Sequence, residues 1–181
     1  MRYCYFILTV FLTSLVSCNN QEDDVSTETT DLNLSEIEFA QQQISLVGDA
    51  RASASDWQEF ERFQTALENY DHSKAATTRL ATHAESMLEN VPDAFDEQRI
   101  KSRIKVLLVR SRSYESYLSY TTRTASEHQD RYNGIILATD QLIAAMNEKE
   151  EYDRNQRQAL EDLKNDLPPA ASDEALDTTT A

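Results

Sequence analysis

The sequence predicts an all-α protein, an antiparallel bundle of about four helices. The chain of 181 residues contains only 2 Gly and 3 Pro, so few residues are available for tight turns or Gly-rich loops. Apolar residues recur at steps of three and four along most of the chain, which is the period of one helix face. No segment requires a strand, and the length suits one domain with its own core.

The bundle is predicted to span residues 35–167. Ser35 and Glu38 match the capping box that begins many helices. The first apolar series is Ile37, Ala40, Ile44 and Val47, and the second is Trp57, Phe60, Phe63, Leu67 and Tyr70. The pattern leaves open whether one helix continues through Gly48 from the first series to the second.

The remaining helices follow recognisable turn signals. Asp71-His72-Ser73 predicts a turn with Ser73 as the next cap, and Asp93 is predicted to cap the helix after that. The predicted inner faces contain Ala76, Leu80, Ala84, Met87 and Leu88, then Ile100, Ile104, Leu107, Ser111, Tyr114 and Leu118. After a break near residues 121–126, the last inner face contains Tyr132, Ile135, Ile136, Thr139, Leu142, Ile143 and Met146.

Residues 1–17 are predicted to be a cleaved signal peptide. Arg2 is followed by an apolar run from Tyr3 to Val16. This run is shorter than the roughly 20 apolar residues that a membrane-spanning helix needs, and it matches the apolar part of a secretory signal. A buried N-terminal helix is the alternative, but the run is uniformly apolar rather than amphipathic.

The end of this segment, Leu15-Val16-Ser17-Cys18, resembles the lipobox of bacterial lipoproteins. The resemblance implies cleavage before Cys18, diacylglycerol on the Cys18 thiol and an acyl chain such as palmitate on the new amino group. The thiolate is the nucleophile that accepts the lipid. Two or more acyl chains would anchor the protein stably to a lipid bilayer. No cofactor other than this covalent lipid is expected.

Residues 18–34 are predicted to be an acidic flexible linker, and residues 168–181 are predicted to be a disordered acidic tail. Each segment contains a motif with a further resemblance. Glu22-Asp23-Asp24 is similar to the acidic cluster that marks Bacteroidota lipoproteins for the outer cell surface. It implies the outer membrane and leaves the periplasmic or surface face open. Asp177-Thr178-Thr179 is similar to the Bacteroidota O-glycosylation motif, with Thr178 as the modified residue.

The composition argues against several function classes. A formal charge of −15 predicts repulsion from nucleic-acid phosphates, so no nucleic-acid partner is expected. The sequence lacks a Gly-rich phosphate loop, HExxH, CxxCH and the Glu-x-x-His pattern of di-iron bundles. The chain is therefore predicted not to be an enzyme.

His83 and Met87 are the candidate metal ligands, since they lie one helical turn apart. Two soft ligands at this spacing, joined by Met146, would suit Cu(I) or one side of a b-type haem. The favoured alternative places Met87 in the core and His83 at its edge. His72 and His128 are interpreted as residues of helix ends, explained by capping and solvation.

A candidate patch for an anionic partner, lipopolysaccharide phosphate or an acidic protein, lies on the third helix. It comprises Arg99, Lys101, Arg103, Lys105, Arg110 and Arg112. The favoured alternative is ion pairing with acidic neighbours in the bundle, because these residues spread around the helix instead of forming one stripe.

These observations predict a membrane-anchored lipoprotein of the cell envelope. Its predicted function is that of a non-enzymatic binding or assembly module for another envelope protein. Two alternatives stay open: a helical bundle that binds metal or haem, and a lipoprotein that confers immunity to a toxin or inhibits it.

Overall fold

A computed structural model describes residues 34–166, which belong to one compact unit. Five α-helices follow one another: α1 (Gly48–Ala54), α2 (Gln58–Glu68), α3 (Lys74–Glu89), α4 (Gln98–Tyr117) and α5 (Ala125–Asp166). Two 3-10 turns lie at Leu34–Glu36 and Asp93–Phe95, and these described residues contain no strand. The predicted all-α fold is confirmed.

The helices pack in sequence order around one core. α2 contacts α3, α3 contacts α4, and α4 contacts α5, while the short α1 packs on α5. None of the helices between residues 34 and 166 has both the length and the apolar composition that crossing a membrane requires. The predicted signal peptide, nearly all of the predicted linker and the predicted tail lie outside the described residues.

The predicted inner faces of α3, α4 and α5 form the core, and of these residues only Leu88 is merely half-buried. The polar members Ser111 and Thr139 bury their hydroxyl groups without leaving them unpaired. Each donates to the carbonyl one turn earlier in its own helix at 3.0 Å. Each fully buried leucine or isoleucine contributes roughly 1.5–3 kcal/mol to folding, so this shared core supplies most of the stability.

The turns between helices agree with prediction at one site and differ at another. Ser73 caps α3, because its Oγ accepts from the Ala76 N–H at 3.0 Å. The prediction that Asp93 caps the following helix is wrong. Asp93 begins a 3-10 turn that carries Phe95 into the core against Trp57, with ring centroids 5.8 Å apart, and α4 begins only at Gln98.

Residues 37–47, which we call the strap, are not helical. The predicted helix beginning at the Ser35–Glu38 capping box is therefore wrong. The question about Gly48 is also answered, since α1 begins at that residue. Gly48 has a φ of +49°, a left-handed conformation that glycine adopts without steric cost and that separates the strap from α1.

A row of polar side chains on α5 holds the strap and explains this difference. The hydrogen bonds run from strap N–H groups to side-chain oxygens: Ala40 to Asn133 (2.9 Å), Gln43 and Ile44 to Asp140 (3.1 and 3.0 Å), and Val47 to Asn147 (3.1 Å). A helix rises about 21 Å from the first to the last of these three acceptors. The strap covers that distance only when nearly fully extended, so its N–H groups bind α5 instead of forming helical bonds.

Replacing the central acceptor of this row should loosen the strap. Asp140 is almost fully buried and accepts two strap N–H groups, so Asp140→Ala should lower the free energy of unfolding by about 2–3 kcal/mol. Asp140→Asn keeps one oxygen acceptor and should lose about half as much. Urea titration measures the change, and amide exchange at Gln43 and Ile44 locates it.

The matched control is Asp162→Ala, which removes an exposed carboxylate from the same helix. We expect this change to leave the stability within about 0.5 kcal/mol. Equal effects of Asp140→Ala and Asp162→Ala would contradict the role assigned to the strap contacts.

Candidate functional site

One region of the bundle gathers an aromatic cluster from four separate elements. Its members are Phe39 of the strap, Tyr70 and His72 between α2 and α3, Tyr114 and Tyr117 of α4, and His128 and Tyr132 of α5. Aromatic rings at centroid distances of about 4.5–7 Å attract one another beyond their area of contact. The cluster therefore ties the strap to α4, to α5 and to the turn between α2 and α3.

His72 has the most unusual surroundings in the cluster. Its imidazole stacks on Phe39 at 3.7 Å between ring centroids and lies 4.6 Å from the Tyr132 ring. Its backbone φ is +60°, a left-handed conformation that costs a residue with a Cβ about 1–2 kcal/mol. Asp71 supports this turn by accepting from the Ser73 N–H at 3.0 Å.

The two imidazoles of the cluster differ in their hydrogen bonding. His128 is only 2% exposed, and the Tyr114 hydroxyl lies 2.8 Å from its Nε2. His72 Nδ1 is buried and has no hydrogen-bond partner among the described residues. An unpaired buried polar atom costs about 1–3 kcal/mol, so His72 combines backbone strain with an unsatisfied nitrogen. Strain of this kind gathers at functional sites.

Burial sets the protonation of the cluster. It lowers the pKa of His72, and together with His72 and Arg123 it lowers the pKa of His128 to about 4. Burial also raises the pKa of Tyr70, Tyr114 and Tyr132 above the ordinary value for tyrosine. At neutral pH the imidazoles are uncharged and the phenols are protonated, so all five groups act as neutral hydrogen-bonding groups.

A cavity of about 190 Å³ lies beside the two imidazoles. It is lined by Leu34, His72, Ser73, Lys74, Leu118, Arg123 and His128. Two of these residues are cationic and none is acidic, although the protein carries a formal charge of −15. We call this space the histidine cavity, and its charge is suited to an anion.

A larger cavity of about 430 Å³ lies between α2 and α3 and contains His83. Arg62 and Arg79 line it with His83, and the pKa of His83 is lowered by burial and by these two guanidinium groups. Met87 lies fully buried in the core, as does Met146. The Met87 thioether therefore lies in the core, and the His83 imidazole lines a cavity that also contains two guanidinium groups and Glu61.

Residues 34–166 contain no group of three or more His, Cys, Asp or Glu side chains placed to hold a metal ion. His83, one of the predicted metal ligands, is therefore not part of such a group.

Three of the six basic residues of α4 form ion pairs within the protein, and a fourth hydrogen-bonds to an amide oxygen. Their contacts are Arg99 with Glu148, Lys101 with Asp96, Arg112 with Glu85 (2.7 Å), and Arg103 with the Gln141 side-chain oxygen (3.0 Å). The Arg110 side chain runs beside Gly134, and Lys105 is exposed.

The lipidation residue Cys18 and the glycosylation residue Thr178 lie outside the described residues. The sequence pattern predicts solvated helix ends at His72 and His128 and gives no indication that they form a site together. The signal for His128 was present, because it precedes Tyr132 by one turn and extends the inner face of α5. No sequence pattern predicts the position of His72, because this position depends on a left-handed backbone and on the strap.

The low pKa of His128 should make stability depend on pH. Between its folded value of about 4 and the ordinary 6.5, the unfolded chain binds more protons, so stability falls as pH decreases through this window. With allowance for solvent screening at the cavity, we expect a contribution of about 1–2 kcal/mol. Urea titrations of the protein and of His128→Gln between pH 7 and pH 4 measure it.

The difference in stability between the two proteins should shrink as pH falls. Carboxylates titrate in the same range, but they contribute equally to both proteins and cancel in the difference. Curves that stay parallel over this range would contradict a neutral, buried His128.

Comparison of this chain with models of known protein families, with curated proteins and with solved structures finds no match in any of the three.

Proposed function

We propose that this protein is a lipid-anchored, non-enzymatic module of the bacterial cell envelope that binds another envelope protein through the far end of α5. The anchor is proposed at Cys18, from the lipobox at residues 15–18. The observation that carries the binding role is that the packing face of α5 continues beyond the core, where no other helix covers it within residues 34–166.

The seam of α5 is the row of buried residues that alternates steps of four and three: His128, Tyr132, Ile135, Thr139, Leu142 and Met146. The same alternation continues through Lys149, Asp153 and Gln156 to Leu160 and Leu163. This spacing is the heptad pattern by which helices pack side by side. One face of α5 therefore holds the core and then continues beyond it.

The last part of α5, residues 151–166, forms an arm that contributes nothing to the buried core. Sixteen helical residues extend about 24 Å. Leu160 and Leu163 are 62% and 60% exposed, although the register of the helix places them on its packing face. Exposed apolar residues in register with a packing seam are typical of a surface that a partner helix covers.

The charges of the arm indicate the chemistry of the partner. Arg154 and Arg157 lie near Asp49 of α1, at 3.6 and 3.9 Å. Beyond them the arm carries Glu161, Asp162 and Asp166 against Lys164. A second copy would bring like charges together, so the complementary partner is a protein with an apolar helix flanked by basic residues.

The anchor is tested by the intact mass of the membrane-extracted protein after expression of the full precursor in a bacterial host. We expect a chain that begins at Cys18 and carries acyl chains, and loss of this product in Cys18→Ala. An unmodified chain that retains residues 1–17 would contradict the proposed anchor and localisation.

The binding role is tested by truncating the two exposed leucines. Leu160→Ala/Leu163→Ala keeps the helix propensity but removes apolar contact area, so affinity for the envelope partner should fall at least about tenfold. Stability should stay within about 0.5 kcal/mol, since both side chains are exposed. Quantitative retention of host envelope proteins on the immobilised protein provides the measurement.

The matched control is Leu137→Ala, because Leu137 is 59% exposed on the same helix but lies outside the seam. It should retain the partner that the double variant loses. Equal retention by both variants would overturn the proposal, and so would self-association of the purified protein that depends on Leu160 and Leu163.

A further inference from the structure

We propose that the histidine cavity is a binding site for a small organic anion, a short-chain monocarboxylate held between Lys74 and Arg123. This site is separate from the α5 arm and does not depend on the lipid anchor.

The charge of the cavity favours an anion. Lys74 and Arg123 both line it, and no carboxylate of residues 34–166 does, although the protein carries a formal charge of −15. Lys74 forms no ion pair with any described residue, and the Arg123 guanidinium makes a single long contact of 3.5 Å to the Leu118 carbonyl. Among the other fourteen lysines and arginines of residues 34–166, seven pair with acids. Two cations without an ion pair at one cavity favour an anion there.

His72 contributes a further polar group, because its imidazole lines the cavity. Its Nδ1 has no partner among the described residues but is buried, so a ligand in the cavity does not reach that atom. The Ser73 hydroxyl is already engaged, because it accepts from the Ala76 N–H and hydrogen-bonds to the Asp71 carboxylate. A carboxylate has two oxygens with about four acceptor positions, enough to receive both cations and an imidazole N–H.

The size and polarity of the cavity also indicate the class of ligand. A volume of about 190 Å³ equals roughly six water molecules at about 30 Å³ each, which is below the range of sites for drug-sized ligands. Leu34 and Leu118 line the same cavity. A short apolar tail suits these leucines, and a single carboxylate suits the cations, so the lining fits a small amphipathic acid better than inorganic phosphate.

The protein offers an internal control, since its three histidines divide between two cavities. His72 and His128 line the histidine cavity, whereas His83 lines the cavity between α2 and α3. The imidazole signals in NMR spectra therefore report on both places at once. The experiment uses the mature chain beginning at Cys18, titrated at constant ionic strength and pH with sodium butyrate, inorganic phosphate or butylammonium chloride.

We expect butyrate to shift the signals of His72 and His128 saturably and to leave His83 unchanged. Butylammonium, which has the same tail with the opposite charge, should shift none of them. Arg123→Gln and Lys74→Gln should each weaken butyrate binding at least about fivefold, whereas Arg62→Gln in the other cavity should leave it unchanged.

Three outcomes would overturn the proposal. The first is an absence of saturable shifts at His72 and His128 with butyrate. The second is an equal response of His83, which would indicate general screening instead of a site. The third is binding of phosphate without butyrate, which would contradict a carboxylate with an apolar tail. Because Lys74 and Arg123 lie outside the buried core, their variants should fold, and thermal unfolding checks this.

Discussion

Burial of the α5 seam against the rest of the bundle is the interaction on which the structure depends. α5 contacts both α4 and α1, and its inner face contributes residues from His128 to Met146 to the core. Each large apolar side chain in this face contributes roughly 1.5–3 kcal/mol when buried. Burial of this face fixes the orientation of the rest of α5, on which the polar row and the arm depend.

The polar row of α5 is the first of these features. Asn133, Asp140 and Asn147 are placed by the seam at the edge of the core, where they meet the N–H groups of the strap. The strap in turn places Phe39 on His72. The aromatic cluster and the histidine cavity thus depend on a hydrogen-bonded contact between segments more than 90 residues apart in the chain.

The two proposed binding surfaces lie at different parts of α5 and have different physical character. The histidine cavity is partly open and mainly polar, and it is lined by two leucines and two cationic side chains, which suits a small acid. The arm is exposed, apolar along one narrow row and acidic around it, which suits a basic helix. The long helix therefore allows one chain to hold a partner at the arm while a ligand occupies the bundle.

The sequence by itself determined the helices whose inner faces pack against one another. The steps of three and four in α3, α4 and α5 are a local property of the chain, and burial followed them, as did the cap at Ser73. Only the tertiary structure decided the strap, because Ser35, Glu38 and Ile37 have local helix signals that lose to acceptors on a helix about 95 residues away. The left-handed turn at His72, which stacks on Phe39 of the strap, was also decided only by the tertiary structure. A local pattern carries no record of which distant side chain completes a contact.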